Sequence, residues 1–515
     1  MGIVASNQAE APLVLTLDLG SSSLRASIYD RQGHCIEGME AQTKYQLDTT
    51  ADGGVEKDPD ELFKIVLEAI DRVLESAGPL TAKIAGVALD TFWHSLMGID
   101  KQQQPLTPLF TWADTRSTAA AEQLSRELDV EALHARTGCL IHPTYFPAKL
   151  RWLATTQPVI YRRVLRWLSF GEYFYLKLFG EASVSVSMAS GTGLFDQNKR
   201  EWDNEILQVL KLDPARLSPL SDMDEPQRGK LKPEFARRWP KLAEVPWFPA
   251  IGDGAAGNLG SGCFSPERIA VMVGTSGAMR MIYAADKVDI PKGLWCYHAD
   301  RRRFVIGGAL SEGGNLFAWM RQTFQLPELA DVERELSQMK PDGHGLTVLP
   351  FLTGERSPGW AAHARAAITG LSLNSQPIEI LRAGIESIAY RFGLLYQGMA
   401  TCLPQAKQIV ASGGALLNSP TWMQILADVI NRPVVASAEG ETTSRGVALL
   451  ALEQLGAFGP LNAEKDGTAA HTRAGLELAP FEFGQTFYPD LAHHQSYKVA
   501  MERQQELYCK LVMNH

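Results

Sequence analysis

Near its start the chain reads Leu13-Val14-Leu15-Thr16-Leu17-Asp18-Leu19-Gly20-Ser21-Ser22-Ser23, an apolar run that ends abruptly in glycine and hydroxyl residues. This pattern predicts a buried strand that enters a tight turn, and the alternating residues that follow predict a second strand, which completes a hairpin. The pattern returns about 255 residues later as Arg268-Ile269-Ala270-Val271-Met272-Val273-Gly274-Thr275-Ser276-Gly277-Ala278-Met279-Arg280-Met281-Ile282. Because the hairpin occurs twice, we expect two similar domains that face each other across a cleft.

The segments between the hairpins favour an α/β architecture. After Asp58-Pro59-Asp60, apolar residues recur at helical spacing, and the aspartates suit a helix cap. The stretch Ile84-Ala85-Gly86-Val87-Ala88-Leu89 predicts a further buried strand, and residues 117–245 are rich in helical patterns, one of which ends at Gly180. This alternation predicts an α/β fold with a boundary near residues 255–265, which divides the chain into domains 1–258 and 259–515.

Length and composition agree with a two-domain enzyme. Single hydrophobic cores stop growing near about 250 to 300 residues, and this chain has 515. Its 45% hydrophobic and 21% charged residues are typical of globular enzymes. A formal net charge of -9 argues against a general nucleic-acid binder, so we expect a small-molecule substrate and no nucleic-acid partner.

Targeting and metal-binding patterns are missing from the sequence. The six cysteines are scattered without a CxxC pair, so neither a zinc site nor a disulfide framework is expected. No window approaches 18 uninterrupted apolar residues, and the first residues do not form a secretory signal. We therefore expect a cytoplasmic protein without a membrane partner.

The two turns offer the chemistry of a phosphate site. Residues 20–23 and 274–277 each combine backbone N–H groups in a tight turn with hydroxyl donors. Such turns can bind an anion, and a pair of them could hold the β and γ phosphates from two sides. One turn alone could be an ordinary hairpin, but finding it twice favours the phosphate interpretation. The chain lacks GxxxxGK[ST], which excludes a P-loop.

Five ordered motifs resemble those of FGGY carbohydrate kinases. They are Leu17-Asp18-Leu19-Gly20-Ser21-Ser22-Ser23, Ile251-Gly252-Asp253-Gly254-Ala255-Ala256, Gly274-Thr275-Ser276-Gly277, Gly354-Glu355-Arg356-Ser357-Pro358 and Ser412-Gly413-Gly414-Ala415. The resemblance covers about residues 13–455. It implies two actin-like ATPase (ribonuclease H-like) domains with a cleft between them, ATP and Mg²⁺ as cofactors, and a small sugar, polyol or sugar acid as the phosphate acceptor.

The resemblance also assigns the central carboxylates. Asp253 is expected to be the catalytic base and to contact the substrate, because a sugar hydroxyl is a poor nucleophile until a nearby carboxylate accepts its proton. A run of small residues follows Asp253 and is expected to open a helix. The N-terminus of that helix would keep the Asp253 carboxylate ionised. The resemblance implies that Asp18 holds Mg²⁺ through water. Without the resemblance, a helix-capping Asp253 and a turn-starting Asp18 would be the simpler interpretations.

The remaining nucleotide contacts are carried over in the same way. The family uses a glycine turn and a nearby asparagine against the adenosine, which here points to Gly413, Gly414 and Asn418, although Asn418 could also be a helix cap. The expected nucleotide-binding residues are Gly20, Ser21, Ser22, Ser23, Gly274, Thr275, Ser276, Gly413, Gly414 and Asn418.

Two further residues are candidates for sugar contacts. His94 occupies a position where many family members have a Met-His pair, so it is expected to donate to substrate hydroxyls, while Trp93 departs from the usual methionine. In Trp112-Ala113-Asp114-Thr115-Arg116-Ser117, the resemblance suggests that Asp114 binds a hydroxyl. Arg116 could equally be the structural ion-pair partner of Asp114.

Within the family, several segments look most similar to gluconate kinases, so gluconate is the first expected acceptor. An aldonate adds one carboxylate, which needs a positive or multiple-donor partner, and His142, Arg116 and Arg280 are available. The stretch Glu441-Thr442-Thr443-Ser444-Arg445-Gly446 departs from the family, since small apolar residues are usual there. Xylulokinase, ribulokinase or tetritol kinase activity is therefore the alternative.

Two other classes share the paired phosphate hairpins. A non-catalytic actin-like ATPase would not need Asp253 or the segment from Trp112 to Ser117, and a sugar-sensing pseudokinase would be expected to lose Asp18 or Asp253. Both aspartates are present, which favours the kinase. The expected assembly is a monomer or a homodimer.

Overall fold

The computed structural model of the protein describes residues 2–402, 405–461, 478 and 480–513. The strands before residue 260 are β1 Ile3–Val4, β2 Leu13–Leu19, β3 Ser23–Tyr29, β4 Cys35–Lys44, β5 Asp48–Thr49, β6 Val55–Lys57, β7 Ile84–Thr91, β8 Met97–Ile99, β9 Leu109–Phe110, β10 Arg166–Leu168, β11 Val184–Ser185, β12 Phe195–Asp196, β13 Glu201–Trp202, β14 Leu220–Ser221 and β15 Ile251–Gly252. The later strands are β16 Arg268–Val273, β17 Gly277–Ala284, β18 Trp295–Asp300, β19 Arg303–Leu310, β20 Thr347–Leu349, β21 Ala367–Thr369, β22 Gln408–Ser412, β23 Val434–Ser437 and β24 Phe483–Phe487.

The α-helices lie between these strands. In the first half they are α1 Pro59–Ala77, α2 Thr118–Glu127, α3 Val130–Thr137, α4 Phe146–Thr156, α5 Pro158–Arg163, α6 Phe170–Phe179, α7 Val186–Ser190, α8 Asn204–Leu210, α9 Pro233–Arg238 and α10 Asp253–Gly260. In the second half they are α11 Gly314–Thr323, α12 Leu329–Gln338, α13 Pro377–Ala400, α14 Gly414–Leu417, α15 Pro420–Ile430, α16 Thr442–Gln454 and α17 Leu491–Tyr508.

Two large sheets repeat one topology. The first sheet has the order β1-β4-β3-β2-β7-β15 and the second β18-β19-β17-β16-β22-β23-β24. Five strands correspond one to one, since β4-β3-β2-β7-β15 matches β19-β17-β16-β22-β23 in order and in every parallel or antiparallel pairing. The duplication predicted from the two hairpins, and the α/β fold of two similar domains, are confirmed.

Local sequence signals explain individual elements. The Asp58 side chain accepts hydrogen bonds from the backbone N–H groups of Asp60 and Glu61, which caps α1 as predicted. The buried face of α1 carries the apolar residues that recur at helical spacing. Gly180 ends α6 with a positive φ of 83°, a conformation that glycine adopts without steric cost.

Helices α10 and α16 cross in direct backbone contact between the two sheets. A Cβ on Gly446 would lie 1.8 Å from the carbonyl oxygen of Ala256, and one on Gly260 would lie 1.8 Å from that of Thr442. Although α16 belongs to the second half of the sequence, its apolar residues join the core of the first half. The predicted boundary at residues 258/259 falls inside α10, so the division into 1–258 and 259–515 stays a prediction.

Among the described residues, no helix is both long enough and apolar enough to cross a membrane. A subset of the buried apolar residues between Leu96 and Leu217 forms a smaller core of its own, built mainly from α2, α4, α8 and the segments between them. This helix-rich part also contacts the second half, because α7 packs against β18.

Candidate active site

A cavity of about 240 Å³ lies where the two halves meet. Its walls include one serine from each predicted phosphate turn, the predicted base, the predicted sugar-binding histidine and two arginines: Ser21, Ser276, Asp253, His94, Arg280 and Arg356. Residues far apart in sequence thus converge in the cleft predicted from the duplication. A cleft between two domains is a favoured place for a small ligand, which would be shielded from water when the cleft closes.

Asp253 stands at the start of α10, directly after the short strand β15. One of its carboxylate oxygens, Oδ1, accepts a hydrogen bond from the backbone N–H of Gly254 at 2.7 Å. Burial raises the pKa of Asp253 above its ordinary value, while the positive charge of Arg280 lowers it. The expected effect of the helix N-terminus is therefore outweighed by burial, which leaves a carboxylate that is a better proton acceptor than an exposed one.

Trp93, the departure noted in the sequence, packs across the start of this helix. A Cβ on Gly252 would lie 1.9 Å from the Trp93 ring, so only glycine leaves room for the indole there. The Trp93 indole N–H donates to the carbonyl of Ser187 at 3.0 Å, and its ring contacts Tyr297 of β18 with centroids 4.9 Å apart. Trp93 therefore forms part of the cavity wall and links the two halves.

Asp18 lies near the end of β2, beside a carboxylate that sequence reasoning missed. Its Oδ2 accepts a hydrogen bond from Ser444 Oγ of α16 at 3.0 Å. Burial raises the pKa of Asp18 to about 6, against the lowering effect of Ser444 and Asp90. Asp90, its register partner on β7, is fully buried, and burial together with the charges of Asp18 and Asp253 raises its pKa well above the ordinary value.

These carboxylates suit a hard divalent cation. Neither oxygen of Asp90 has a hydrogen-bond partner within the part of the chain that the structure describes. Oxygen ligands with room for retained water are what Mg²⁺ prefers, and a cation would compensate the clustered negative charge of Asp18, Asp90 and Asp253. The sequence signal for Asp90 was its place inside an otherwise apolar strand, where aspartate is disfavoured.

Both predicted phosphate turns are tight hairpin turns. In the first, the Gly20 N–H donates to the carbonyl of Ser23 at 3.0 Å, and in the second the Gly274 N–H donates to that of Ser276 at 3.0 Å. The second turn rests on the start of α11, because the N–H groups of Gly314 and Asn315 donate to the carbonyls of Gly274 and Thr275. Ser22 and Thr275 are exposed at the tips, so their donors remain accessible.

The glycine turn predicted for the adenosine lies beside the second phosphate turn. Gly413 has φ of 89°, and a Cβ on it would lie 2.4 Å from the carbonyl oxygen of Val273, at the end of β16. Gly414 begins the short helix α14 and Asn418 ends it. The predicted nucleotide residues of the second half are thus neighbours in space, and their role stays a prediction.

His94 lines the cavity, and its surroundings favour an accepting role over the expected donating one, while its contact with substrate stays a prediction. Its Nδ1 lies 2.6 Å from the carbonyl oxygen of Gly191, which can only accept, so Nδ1 carries the proton. Burial lowers the pKa of His94 well below its ordinary value, so the ring is neutral. Nε2 is then free of hydrogen and can accept from a substrate hydroxyl.

Asp114 is not among the residues that line the cavity, and its expected role in substrate binding stays a prediction. Its carboxylate accepts from the Arg116 guanidinium, with Nε 3.2 Å from Oδ1 and 3.1 Å from Oδ2, and also from the backbone N–H of Val55 at 3.2 Å. Arg116 also pairs with Glu56. The structural ion pair, the alternative considered above, is what the fold contains.

Three side chains were candidates for binding the carboxylate of a sugar acid: His142, Arg116 and Arg280. Of these three, only Arg280 lines the cavity. Arg116 is occupied by Asp114, and burial lowers the pKa of His142 to about 3, so that imidazole is neutral. Arg356 also lines the cavity and was missed, although its motif was recognised. The Nε atoms of Arg280 and Arg356 are buried without a hydrogen-bond partner among the described residues.

The departure at residues 441–446 forms the start of α16. Glu441 pairs with Arg25 of the first hairpin, and Arg445 pairs with Glu439 while its Nε donates to the carbonyl of Gly33 at 3.1 Å. The added charges of Glu441 and Arg445 are therefore compensated by partners. Ser444 of the same turn supplies the hydrogen bond to Asp18.

Comparison with known proteins shows which family this chain belongs to. The models for the N-terminal and C-terminal domains of the FGGY family of carbohydrate kinases match residues 13–260 and 269–455. Gluconokinase from Bacillus subtilis is 28% identical over 473 residues, covering 89% of this chain and 91% of the relative, and glycerol kinase from a Polaromonas species is 30% identical, covering 85% and 90%.

A solved structure agrees over almost the whole length. The crystal structure of gluconate kinase from Lactobacillus acidophilus superposes with a TM-score of 0.84 at 26% identity, covering 97% of this chain and 98% of that one. The expected pair of actin-like ATPase domains is thereby confirmed, and the alternative of a non-catalytic ATPase is not supported. The chain belongs to the FGGY family of carbohydrate kinases, and the protein is a phosphotransferase with an alcohol group as acceptor.

Proposed function

We propose that the protein is a sugar-acid kinase that phosphorylates gluconate or a close relative of it with Mg·ATP. The observation that carries this proposal is the pair of buried arginines in the cavity wall, Arg280 and Arg356. The cavity lining contains two guanidinium groups and one carboxylate, Asp253, which leaves positive charge without a partner among the described residues lining the cavity. A buried carboxylate on the acceptor would supply that partner, whereas a neutral sugar would not.

The reaction follows from the groups around the cavity. Asp253 accepts the proton of the acceptor hydroxyl as its oxygen bonds to the γ-phosphorus, and the bond from that phosphorus to the bridging oxygen breaks to release ADP. Neutral His94 accepts a hydrogen bond from a second hydroxyl and thereby orients the sugar. The turns at Gly20–Ser23 and Gly274–Ser276 hold the phosphates from two sides.

Asp18 is the residue proposed to hold Mg²⁺, which would neutralise charge on the phosphates when bound. Gly413, Gly414 and Asn418 are proposed to contact the adenosine. Supporting this arrangement, Ser21, Ser276 and Asp253 line one cavity, Gly413 lies against Val273 beside the second phosphate turn, and the family relatives named above are kinases.

Arg280 and Arg356 could alternatively bind the transferred phosphate, and acceptor choice separates the two roles. ADP release would be measured with gluconate, xylulose, ribulose, glycerol, erythritol and sedoheptulose for the wild type, Arg280→Met and Arg356→Met. If the arginines bind the acceptor carboxylate, the variants should lose at least about tenfold in kcat/KM for gluconate and little for a neutral sugar. An equal loss with every acceptor would assign the arginines to the phosphate instead.

Acceptor preference in the wild type tests the proposal directly. Gluconate should give the highest kcat/KM of the panel. A clear preference for xylulose, ribulose or erythritol would contradict the sugar-acid assignment and favour the neutral-sugar alternative. No sugar-dependent ADP with any compound would contradict the kinase mechanism itself.

A further inference from the structure

Asp90 is a buried carboxylate that the mechanism above does not use. It lies near the end of β7 and pairs in parallel register with Asp18 of β2. Its residue exposure is 0%, and apart from a proton that it can share with the neighbouring Asp18 carboxyl, neither Oδ1 nor Oδ2 meets a donor among the described residues. Buried carboxylates are normally hydrogen-bonded or paired with a cation. A buried carboxylate without a cationic partner in the protein therefore points to a bound cation that compensates its charge.

The surrounding elements supply no such group. Ser444 of α16 donates to Asp18, and Arg25 of β3 pairs with Glu441. Asp253 of α10 adds another negative charge nearby, with Arg280 beside it on the cavity side. The described part of the chain thus places three carboxylates from three elements together and gives Asp90 no cationic partner.

We propose that Asp90 is a second carboxylate of the divalent-cation site and holds the metal of the nucleotide complex together with Asp18. The proposal rests on the proposed function, because that function brings Mg²⁺ to this end of the cleft. Magnesium keeps part of its water shell, so Asp90 can act on it directly or by accepting from a bound water. The competing role is purely structural: a neutral carboxylic acid that packs inside the sheet.

Metal affinity distinguishes these roles without relying on turnover. Binding of Mn²⁺ to the ADP-loaded protein would be followed by the EPR signal of free Mn²⁺. Asp90→Asn, which keeps the shape and removes the charge, should weaken Mn²⁺ binding at least about tenfold, as removal of a metal-orienting group does. ADP affinity measured in EDTA should not change.

The chain offers a matched control at Asp222, another buried aspartate with an oxygen that lacks a partner among the described residues. Asp222 lies away from the cavity and accepts from the backbone N–H of Arg301 at 2.8 Å. Asp222→Asn should leave Mn²⁺ affinity unchanged, whereas Asp18→Asn should weaken it.

Thermal unfolding of the metal-free protein gives a second readout. If Asp90 serves the metal, Asp90→Asn should melt at the same or a higher temperature, because it removes an uncompensated buried carboxyl. If Asp90 is structural, the melting temperature of Asp90→Asn should fall and its Mn²⁺ affinity should remain that of the wild type. Asp90→Ser repeats the test if the asparagine variant does not fold, and failure of both to fold would overturn the proposal.

Failure of this inference can be told apart from failure of the proposed function. Unchanged Mn²⁺ affinity in a folded Asp90 variant, with weakened binding in Asp18→Asn, would overturn only the role of Asp90. A wild type that binds no Mn²⁺ with ADP and forms no sugar-dependent ADP would overturn the proposed function as well.

Discussion

At the scale of single residues, the charge of Arg280 beside Asp253 sets the pH at which the base can work. Burial raises the pKa of Asp253 and Arg280 lowers it, so the two effects oppose each other. Removing the guanidinium takes away the largest effect that opposes burial and leaves only the backbone hydrogen bonds to Asp253, so the carboxyl stays protonated to higher pH. Because a protonated Asp253 cannot accept the hydroxyl proton, activity is lost on the acid side.

We therefore expect Arg280→Met to move the acid limb of the kcat–pH profile to higher pH, by on the order of one pH unit. The measurement is kcat at saturating acceptor and ATP across the acid range. Arg356→Met is the control, since Arg356 is not among the groups that shift the pKa of Asp253. Equal acid limbs in the wild type and Arg280→Met would contradict the electrostatic role of Arg280.

Lys149 connects burial to a pH-dependent stability. It is 1% exposed, and its ammonium donates to the carbonyls of His94 and Thr144. Burial lowers its pKa to about 7, whereas an unfolded lysine has a pKa of about 10.4. Between these values the unfolded chain holds the proton and the folded protein does not, so the free energy of unfolding rises with pH.

Lys149→Met removes this contribution. Between pH 7.5 and pH 8.5 the wild type should gain about 1 kcal/mol of unfolding free energy relative to Lys149→Met. Urea denaturation at both pH values measures the difference, and Lys230→Met, at an exposed position, is the control. A pH-independent difference for Lys149→Met would show that Lys149 keeps its charge when folded.

At the scale of secondary-structure elements, the crossing of α10 and α16 leaves no space for a side chain. A methyl group on Gly446 would overlap the carbonyl oxygen of Ala256, which belongs to backbone and cannot move alone. Gly446→Ala should therefore destabilise the protein by about 3 kcal/mol, despite the better helix propensity of alanine. Gly440→Ala is the control, because a Cβ there meets nothing within 4 Å.

Chemical denaturation of both glycine variants measures this effect. Gly446→Ala should also lower activity, since α16 carries the serine that hydrogen-bonds Asp18. A Gly446→Ala protein as stable as Gly440→Ala would show that the two helices can separate at little cost.

The elements that sequence predicted best are those with local signals. The two hairpins follow from alternating residues and turn chemistry, and the start of α1 follows from the cap at Asp58. The contacts of the segment Glu441–Gly446 could not be predicted, because Arg25 and Gly33, which bind its charged side chains, lie more than 400 residues away in sequence. No local pattern reports such contacts.

The same distinction holds inside the site. Asp253 and His94 were found because motifs point to them. The tautomer of His94, however, depends on its contact with the Gly191 carbonyl. The orientation of the Asp114 carboxylate likewise depends on its hydrogen bonds to Arg116 and Val55. Arg356 was missed because its entry into the cavity depends on how its loop packs against the rest of the fold. Spatial convergence, unlike residue type, is set by tertiary structure.

At the scale of the whole molecule, one side of the cleft is held by contacts that cross between the halves. The Tyr145 and Tyr297 hydroxyls lie 2.7 Å apart, the His298 N–H donates to Ser190 Oγ at 2.9 Å, and the Cys296 N–H donates to the carbonyl of Gly138 at 3.0 Å. Together with the α10–α16 crossing, these contacts favour rotation of the two sheets about a shared edge over complete separation.

The phosphate turns belong to opposite sheets, so ligands that bind both turns should close the cleft. Closure would exclude water that otherwise competes with the sugar for the γ-phosphate. We expect the radius of gyration from X-ray scattering to fall when gluconate and a non-hydrolysable ATP analogue bind together, and to change less with either ligand alone. Asp253→Asn should close like the wild type, because it loses the base and keeps the phosphate turns. Identical scattering curves with and without both ligands, at concentrations that saturate binding, would contradict closure and would leave the cavity already formed before the ligands arrive.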